Sequence, residues 1–311
     1  MVINMHISVL LQESIAALNL KEDGIYVDAT LGYAGHSSEI LKRVRRGCLF
    51  AFDQDSEAIN FSKNKLSSIG NNYEIIKSNF CNLKEELKKR NVTKVDGILF
   101  DLGVSSPQLD EKERGFSYHL DARLDMRMNT EQELSAYEVV NSYDEAKLAK
   151  IFFEYGEEKY SKSIARAIVK ARAEKKIETT LELVEIIKSA MPEKAKRDKH
   201  PARKVFQAIR IEVNNELEVL KQALNQALDI VDVGGRVVVI TFHSLEDRIV
   251  KNKMNFWAKD CVCPPDFPVC VCDKVSQVEV LTRKPIIPSN GEIDENFRSR
   301  SAKLRVCRKK I

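Results

Sequence analysis

The segment Ile25-Tyr26-Val27-Asp28-Ala29-Thr30-Leu31-Gly32-Tyr33-Ala34-Gly35-His36-Ser37 begins β-branched and aromatic, turns acidic at Asp28, then runs through small residues. It reads as a short buried strand ending in a loop tight enough for backbone to approach a ligand closely. Further β-rich runs follow at Cys48–Phe52, Tyr73–Lys77 and Val95–Phe100, with amphipathic helical stretches Ser56–Leu66 and Leu83–Arg90 between them. Strand and helix in alternation mean βαβ units, hence a Rossmann-like α/β fold built on a parallel sheet with helices on both faces.

In such sheets ligands sit beyond the carboxyl ends of the strands. The loop after Asp28 is not G-x-G-x-x-G, which disfavours a nicotinamide enzyme. The second strand runs into Asp53, an acceptor suited to the two hydroxyls of a ribose. Asp55 reads as a helix cap. The third strand leads to Asn79-Phe80, where an aromatic ring can stack on adenine or join the core, and the fourth ends in Asp101. Each has an ordinary reading as a turn or core residue. Their coincidence at four successive strand ends points to an adenosyl cofactor.

Beyond Asp101 the pattern turns helical. Leu148, Ile151, Phe152 and Tyr155 form one stripe, stopped at Gly156, and Ile164, Ala165, Ile168 and Val169 another. Thr179 with Glu182 forms a capping box, Pro192 closes that helix, and Pro201 opens a long helical region carrying Phe206, Ile209, Val213, Leu217 and Leu220. Strand chemistry resumes after Gly234-Gly235 with Arg236–Phe242, and Val278–Thr282 and Lys303–Cys307 suit a closing hairpin. The expected organisation is one α/β domain, residues 1–110 and 205–311, interrupted by an all-helical insert over 111–204.

The 311 residues are 43% apolar and 31% charged, enough for a sizeable core, with a net charge of +4. No apolar run reaches the ~18 residues of a membrane helix, and the first residues do not read as a secretory signal. Seven cysteines in a chain of this size argue against a disulfide scaffold, so a cytoplasmic location is expected.

The fourth strand continues as Asp101-Leu102-Gly103-Val104-Ser105-Ser106-Pro107-Gln108-Leu109-Asp110. A polar turn with proline here suits methylation of an exocyclic base amine. That nitrogen shares its lone pair with the ring, so acceptors must orient its N–H bonds and help carry a proton away. Asp101, Ser105, Ser106 and Pro107 are the candidate catalytic cradle; alone, the segment reads as a Ser-Pro turn. Together with Glu113-Arg114-Gly115-Phe116-Ser117 and Leu124-Asp125-Met126-Arg127-Met128, it closely resembles the MraW family of ribosomal RNA small subunit methyltransferases. The likeness runs from His6-Ile7-Ser8-Val9-Leu10-Leu11 through Tyr155-Gly156-Glu157-Glu158, Phe206-Gln207-Ala208-Ile209-Arg210-Ile211 and Phe242-His243-Ser244-Leu245-Glu246-Asp247-Arg248 to Arg300-Ser301-Ala302-Lys303-Leu304-Arg305.

The resemblance implies a class I methyltransferase sheet, S-adenosylmethionine as methyl donor, and N4 of a cytidine in the decoding region of 16S ribosomal RNA as acceptor, within the small subunit. It implies cofactor contacts at Ala34, Gly35, His36, Asp53, Phe80, Asp101 and Gln108. Two departures stand out. Ala34 replaces a glycine usual in the loop, and Ser106-Pro107-Gln108 lacks the second proline and aromatic of the Asp-Pro-Pro-Tyr motif found in many base-amino methyltransferases. Another acceptor, or a cofactor-binding assembly factor without turnover, stays open at this point.

Lys194, Lys196, Arg197, Lys199, Arg203 and Lys204, with His200 among them, read as phosphate contacts within the resemblance and as a solvated face without it. Arg114, Phe116, Tyr118, Arg123 and Arg127 have a composition suited to splayed-out bases, or form a charged loop with Phe116 in the core. His243 faces either substrate or a local partner; Ser244, with Asp247 three residues on, reads as a helix cap. Cys261, Cys263, Cys270 and Cys272 form two C-x-C pairs able to surround one zinc ion, but C-x-C is a less usual spacing than C-x-x-C and methyl transfer needs no metal, so none is assigned.

Overall fold

The computed structural model describes residues 8–196, 200–264 and 269–311. His6 and Ile7, the basic-run residues Arg197, Asp198 and Lys199, and residues 265–268 of the cysteine loop lie outside them, as do the side chains of Ser106 and Lys196. The chain divides into two compact units, one formed by residues up to Gly103 with Leu217–Ile311, the other by Val104–Glu216.

The first unit is built on seven strands: β1 Ile25–Asp28, β2 Cys48–Asp53, β3 Tyr73–Lys77, β4 Val95–Asp101, β5 Val231–Thr241, β6 Val278–Val280 and β7 Lys303–Lys309. Their order is β3-β2-β1-β4-β5-β7-β6. Strands β1 to β5 pair in parallel, while β7 runs antiparallel to both β5 and β6. The chain moves outward from β1 to β3, then returns to place β4 on the other side of β1, so the topological switch lies between β1 and β4. This is the Rossmann-like class I methyltransferase sheet that the sequence predicts. β6 and β7 do pair, as the hairpin reading expects, with β7 also completing the sheet beside β5.

Side chains alternate across a strand, and the sheet uses both faces. Val27, Phe50, Phe52, Ile98, Phe100, Val237 and Val239 join one core cluster. Tyr26, Leu49, Ala51, Leu99, Val238 and Ile240 join another, with Leu18 and Ile40 from the helices Leu11–Leu18 and Gly35–Arg43. Continuous apolar strands are the expected signature of a parallel sheet covered twice.

The second unit packs the helices Ala136–Ser142, Glu145–Glu154, Ser161–Glu174, Thr180–Ser189 and Arg203–Asn214 around its own core, including Leu148, Phe152, Ile168, Leu183 and Ile209. The capping box is formed as expected: the Thr179 side chain accepts from Glu182 N, and the Glu182 side chain from Thr179 N. Gly156 stands where a Cβ would lie 2.6 Å from Phe152 O and 2.7 Å from Lys204 O, so close packing requires glycine there.

The long helical region expected after Pro201 is two helices, Arg203–Asn214 and Glu216–Ile230. Asn215 between them is left-handed, with φ 50° and ψ 35°. Apolar periodicity runs through the break because each helix buries a stripe, but against different cores. Val205, Phe206, Ala208 and Ile209 belong to the second unit's core, so that unit extends beyond the expected boundary at 204. Asparagine tolerates this backbone and β-branched residues do not. Asn215→Val should therefore cost about 1–2 kcal/mol in chemical unfolding while Asn215→Gly is tolerated; equal stability of the two variants would contradict the break.

Candidate active site

The sheet register gathers three acids. Asp28 of β1 pairs in register with Ala51 of β2 and Leu99 of β4. Asp53 and Asp101 lie two residues further along those strands, and a period of two returns a side chain to the same face. All three carboxylates thus continue the face of Tyr26, Ala51 and Leu99, at the carboxyl ends of adjacent strands flanking the switch point.

Short bonds tie this edge to the loop that follows β1. Asp28 Oδ1 accepts from Thr30 N at 3.1 Å and Oδ2 from Ser37 Oγ at 2.6 Å. Thr30 Oγ1 in turn accepts from Asp101 N at 2.7 Å. Asp53 Oδ2 accepts from Gly32 N at 2.8 Å and Oδ1 from Asp55 N at 2.9 Å. His36, buried at the start of the helix Gly35–Arg43, places Nδ1 3.6 Å from Asp101 Oδ2. Asp55 caps the helix Ser56–Ser67 through Glu57 N, as the sequence indicates.

Ala34 is fully buried and left-handed, with φ 55°. Glycine adopts that conformation without cost, whereas the alanine methyl costs backbone strain and packs into the core beside Leu31 and Ile40. Gly35 has a different constraint, because a Cβ there would lie 1.6 Å from Ser8 Oγ. The small residues of the loop thus serve close packing of the N-terminal segment as well as any ligand.

Burial and mutual repulsion press on the acids. Desolvation pushes Asp28 above the ordinary carboxylate range, against the hydrogen bonds from Ser37 and Thr30. Desolvation raises Asp53 to about 6, its backbone hydrogen bonds opposing. Asp101 stands well above the usual range through burial first, then the charges of Asp28 and Glu246. Asp101 Oδ1 is buried and takes no hydrogen bond from the described residues. An acidic set of this kind, with one acceptor atom unused, fits a ligand that brings positive charge and hydrogen-bond donors.

Other expected site residues are placed differently. Phe80 is half-buried against the core of the opposite sheet face, edge-on to Phe100 with centroids 5.7 Å apart. Gln108 belongs to the second unit, where it completes a capping box: its Oε1 accepts from Ser105 N at 3.0 Å, and Ser105 Oγ from Gln108 N at 3.4 Å. Ser105 is the N-cap of the short helix Ser106–Asp110, with Pro107 in its first turn. The order Ser-x-x-Gln contains that box, but the reading of a cofactor contact left it unused.

The cap expected at Ser244 is instead His243. Its Nδ1 accepts from Glu246 N, while the Glu246 carboxylate accepts from Phe242 N at 2.8 Å and His243 N at 3.3 Å. An imidazole lone pair does the work usually given to a hydroxyl, and Asp247 is engaged by Arg305 at 2.6 Å. Glu246, almost fully buried and electrostatically coupled to Asp101, is the residue sequence reasoning missed. A glutamate three residues after His243, the third position of a capping box, was the available signal.

In the second unit, Phe116 and the Arg114 guanidinium are buried. Arg114 donates to Arg127 O at 3.0 Å and Met128 O at 3.3 Å. Arg127 forms a two-bond pair with Asp125, at 3.0 and 2.7 Å. These three residues build the loop rather than offering a face to bases, and Arg123 stays exposed. Tyr118 stacks on His200 with centroids 4.5 Å apart, and His119 meets the same imidazole at 5.1 Å. Lys194 is exposed, whereas Lys204 Nζ donates to Glu157 O at 2.6 Å.

A sheet of this order, with its acids gathered at the carboxyl ends of β1, β2 and β4, defines a class I methyltransferase. Residues 4–310 match the MraW methylase family. Ribosomal RNA small subunit methyltransferase H of Clostridioides difficile (strain 630) is 56% identical over 306 residues, 98% of each chain. Its counterpart in Clostridium botulinum (strain Kyoto / Type A2) is 57% identical over 305 residues, again 98% of each. That of Fusobacterium nucleatum subsp. nucleatum is 52% identical over 302 residues, 97% of this chain and 96% of the other. The chain belongs to the MraW methylase family, and its methyl donor is S-adenosylmethionine.

The raised acids fix a pH dependence. Asp53 has a folded pKa of about 6, above its unfolded value of about 3.9, so the folded state holds an extra proton between them. This contribution to stability is fully present below about pH 4 and is lost as the pH rises through about 6. Asp53→Asn should remove that loss. Comparing urea midpoints of wild type and variant across this range cancels carboxylates shifted the other way, such as Asp247 beside Arg305. A wild-type-minus-variant difference independent of pH would refute the assignment.

Proposed function

We propose that this protein methylates N4 of a cytidine in the decoding region of 16S ribosomal RNA, acting on the small ribosomal subunit. The observation that carries the reading is the largely buried acidic edge ending in Asp101, whose buried Oδ1 takes no hydrogen bond from the described residues. The relatives' names place them on small subunit ribosomal RNA; the choice of nitrogen rests on chemistry.

When bound, S-adenosylmethionine supplies an electrophilic methyl group and positive charge beside the acids. Asp53, at the end of β2, is the acceptor for ribose hydroxyls; each carboxylate oxygen bonded to a backbone N–H retains a second lone pair. Ala34, Gly35 and His36 line the tight loop, while contacts from Phe80 and Gln108 rest on the family resemblance alone. Next to a cation Asp101 is held ionised, since opposite charge reverses the shift that burial imposes. Its carboxylate then accepts an N–H of the cytidine amine, orients the nitrogen and takes up the proton as attack proceeds. Ser105, Ser106 and the backbone at Pro107, four to six residues later in the chain, supply the remaining acceptors of this cradle.

Methylation at C5 of the base calls for a cysteine nucleophile to activate the ring. No cysteine occurs between Cys81 and Cys261, so the loop after β4 has none to offer. For the second unit we propose RNA recognition, through Lys194, Arg123 and the Tyr118–His119–His200 ring cluster, a composition suited to phosphates and unstacked bases.

Labelled donor incubated with small ribosomal subunits, followed by nucleoside chromatography, should yield N4-methylcytidine. Asp101→Asn should lower turnover by about 10²–10⁴-fold, with RNA affinity changed by less than about twofold. Recovery of 5-methylcytidine, or of label in protein alone, would overturn the reading.

A further inference from the structure

The four cysteines of the loop after the helix Ser244–Trp257 are absorbed by neither the sheet nor the proposed chemistry. The base of this loop is anchored, with Gln277 N donating to Trp257 O at 2.8 Å and Ser276 N to Asp260 Oδ1 at 3.2 Å. Beyond that base, Val262, Val269, Val271 and Val275 are exposed, so apolar burial does little to hold the outer part. The sulfurs gather instead. Cys261, Cys263, Cys270 and Cys272 have Sγ atoms all within 4.8 Å of one another.

The geometry points to a structural zinc site in which these four thiolates are the ligands. A tetrahedron with zinc–sulfur bonds of ~2.3 Å has sulfur–sulfur edges of about 3.8 Å. Four of the six edges measure 3.4 Å for Cys261–Cys270, 3.6 Å for Cys270–Cys272, 3.8 Å for Cys261–Cys272 and 4.0 Å for Cys263–Cys270, and the remaining two lie within 4.8 Å. All four are free thiols. Backbone amides are aimed at the sulfurs: Val262 N at Cys272 Sγ and Cys263 N at Cys261 Sγ, both 3.3 Å, and Val271 N at Cys263 Sγ, 3.4 Å. Such donors stabilise thiolate charge around a metal and orient its ligands.

Four protein sulfurs close the coordination sphere and leave no position for water or substrate, so the ion folds the loop and takes no part in methyl transfer. Zinc binding exchanges thiol protons for the metal: four Sγ–H bonds break, four Sγ–Zn bonds form, and the protons pass to solvent with no change of oxidation state. The short C-x-C spacing is accommodated because each pair contributes two corners, and the two pairs lie side by side.

Elemental analysis of the full chain, purified under reducing conditions without chelator, should find about one zinc per molecule. The double variant Cys270→Ser/Cys272→Ser should lose it while retaining the wild-type far-ultraviolet circular dichroism. Cobalt added to chelator-stripped wild type should give thiolate charge-transfer absorption that zinc abolishes. This second readout does not depend on the variant folding. Metal-free wild type from zinc-supplemented cells, iron in place of zinc, or undiminished zinc in the folded double variant would each overturn the site.

Discussion

Everything at the candidate site depends on the register of three parallel strands. Pairing Asp28 with Ala51 and Leu99 sets Asp53 and Asp101 two residues beyond, on one face and at one edge. A slip by one residue would turn the whole set to the other face. The apolar residues on both sides of β1, β2 and β4 prevent that slip, because each strand is locked between two cores. The stability of the sheet and the position of its acids therefore have the same origin.

Concentrating carboxylates in a buried edge is unfavourable without a cation. The protein offsets part of that cost locally: Ser37 and Thr30 bond to Asp28, and Gly32 and Asp55 bond to Asp53. Asp101 receives less help, with His36 at 3.6 Å from one oxygen and no hydrogen bond to the other from the described residues. Residual unfavourable energy is thereby left at the edge where, on the function proposed above, a cationic donor relieves it. Such a site binds by differential charge as well as shape. Ala34 adds a smaller strain in the same loop, a left-handed backbone held by complete burial of its methyl group.

The sheet was legible because hydrophobic runs bounded by turn residues are short-range signals, and β1 and β3 end where the runs end. The helical unit was legible as helices but not at its boundary. The periodic stripe from Phe206 to Leu220 does not record that its halves face different cores, nor that Asn215 turns left-handed between them. At the site, strand-end acids could be read from position alone, whereas Glu246 could not, since its burial and its coupling to Asp101 arise only when β5 lies beside β4. Arg114, Phe116 and Arg127 follow the second of the two readings that composition left open: they build a loop with Phe116 in the core, and composition alone does not choose between that and a face for bases.

The central claim is that positive charge brought to the acidic edge draws back down the pKa of carboxylates that burial has raised. Calorimetric titration with S-adenosylmethionine near pH 6, in buffers of different ionisation enthalpy, measures the protons exchanged on binding. The account predicts net proton release from wild type, reduced in Asp53→Asn and in Asp101→Asn. Binding without proton release, or release undiminished in both variants, would contradict it.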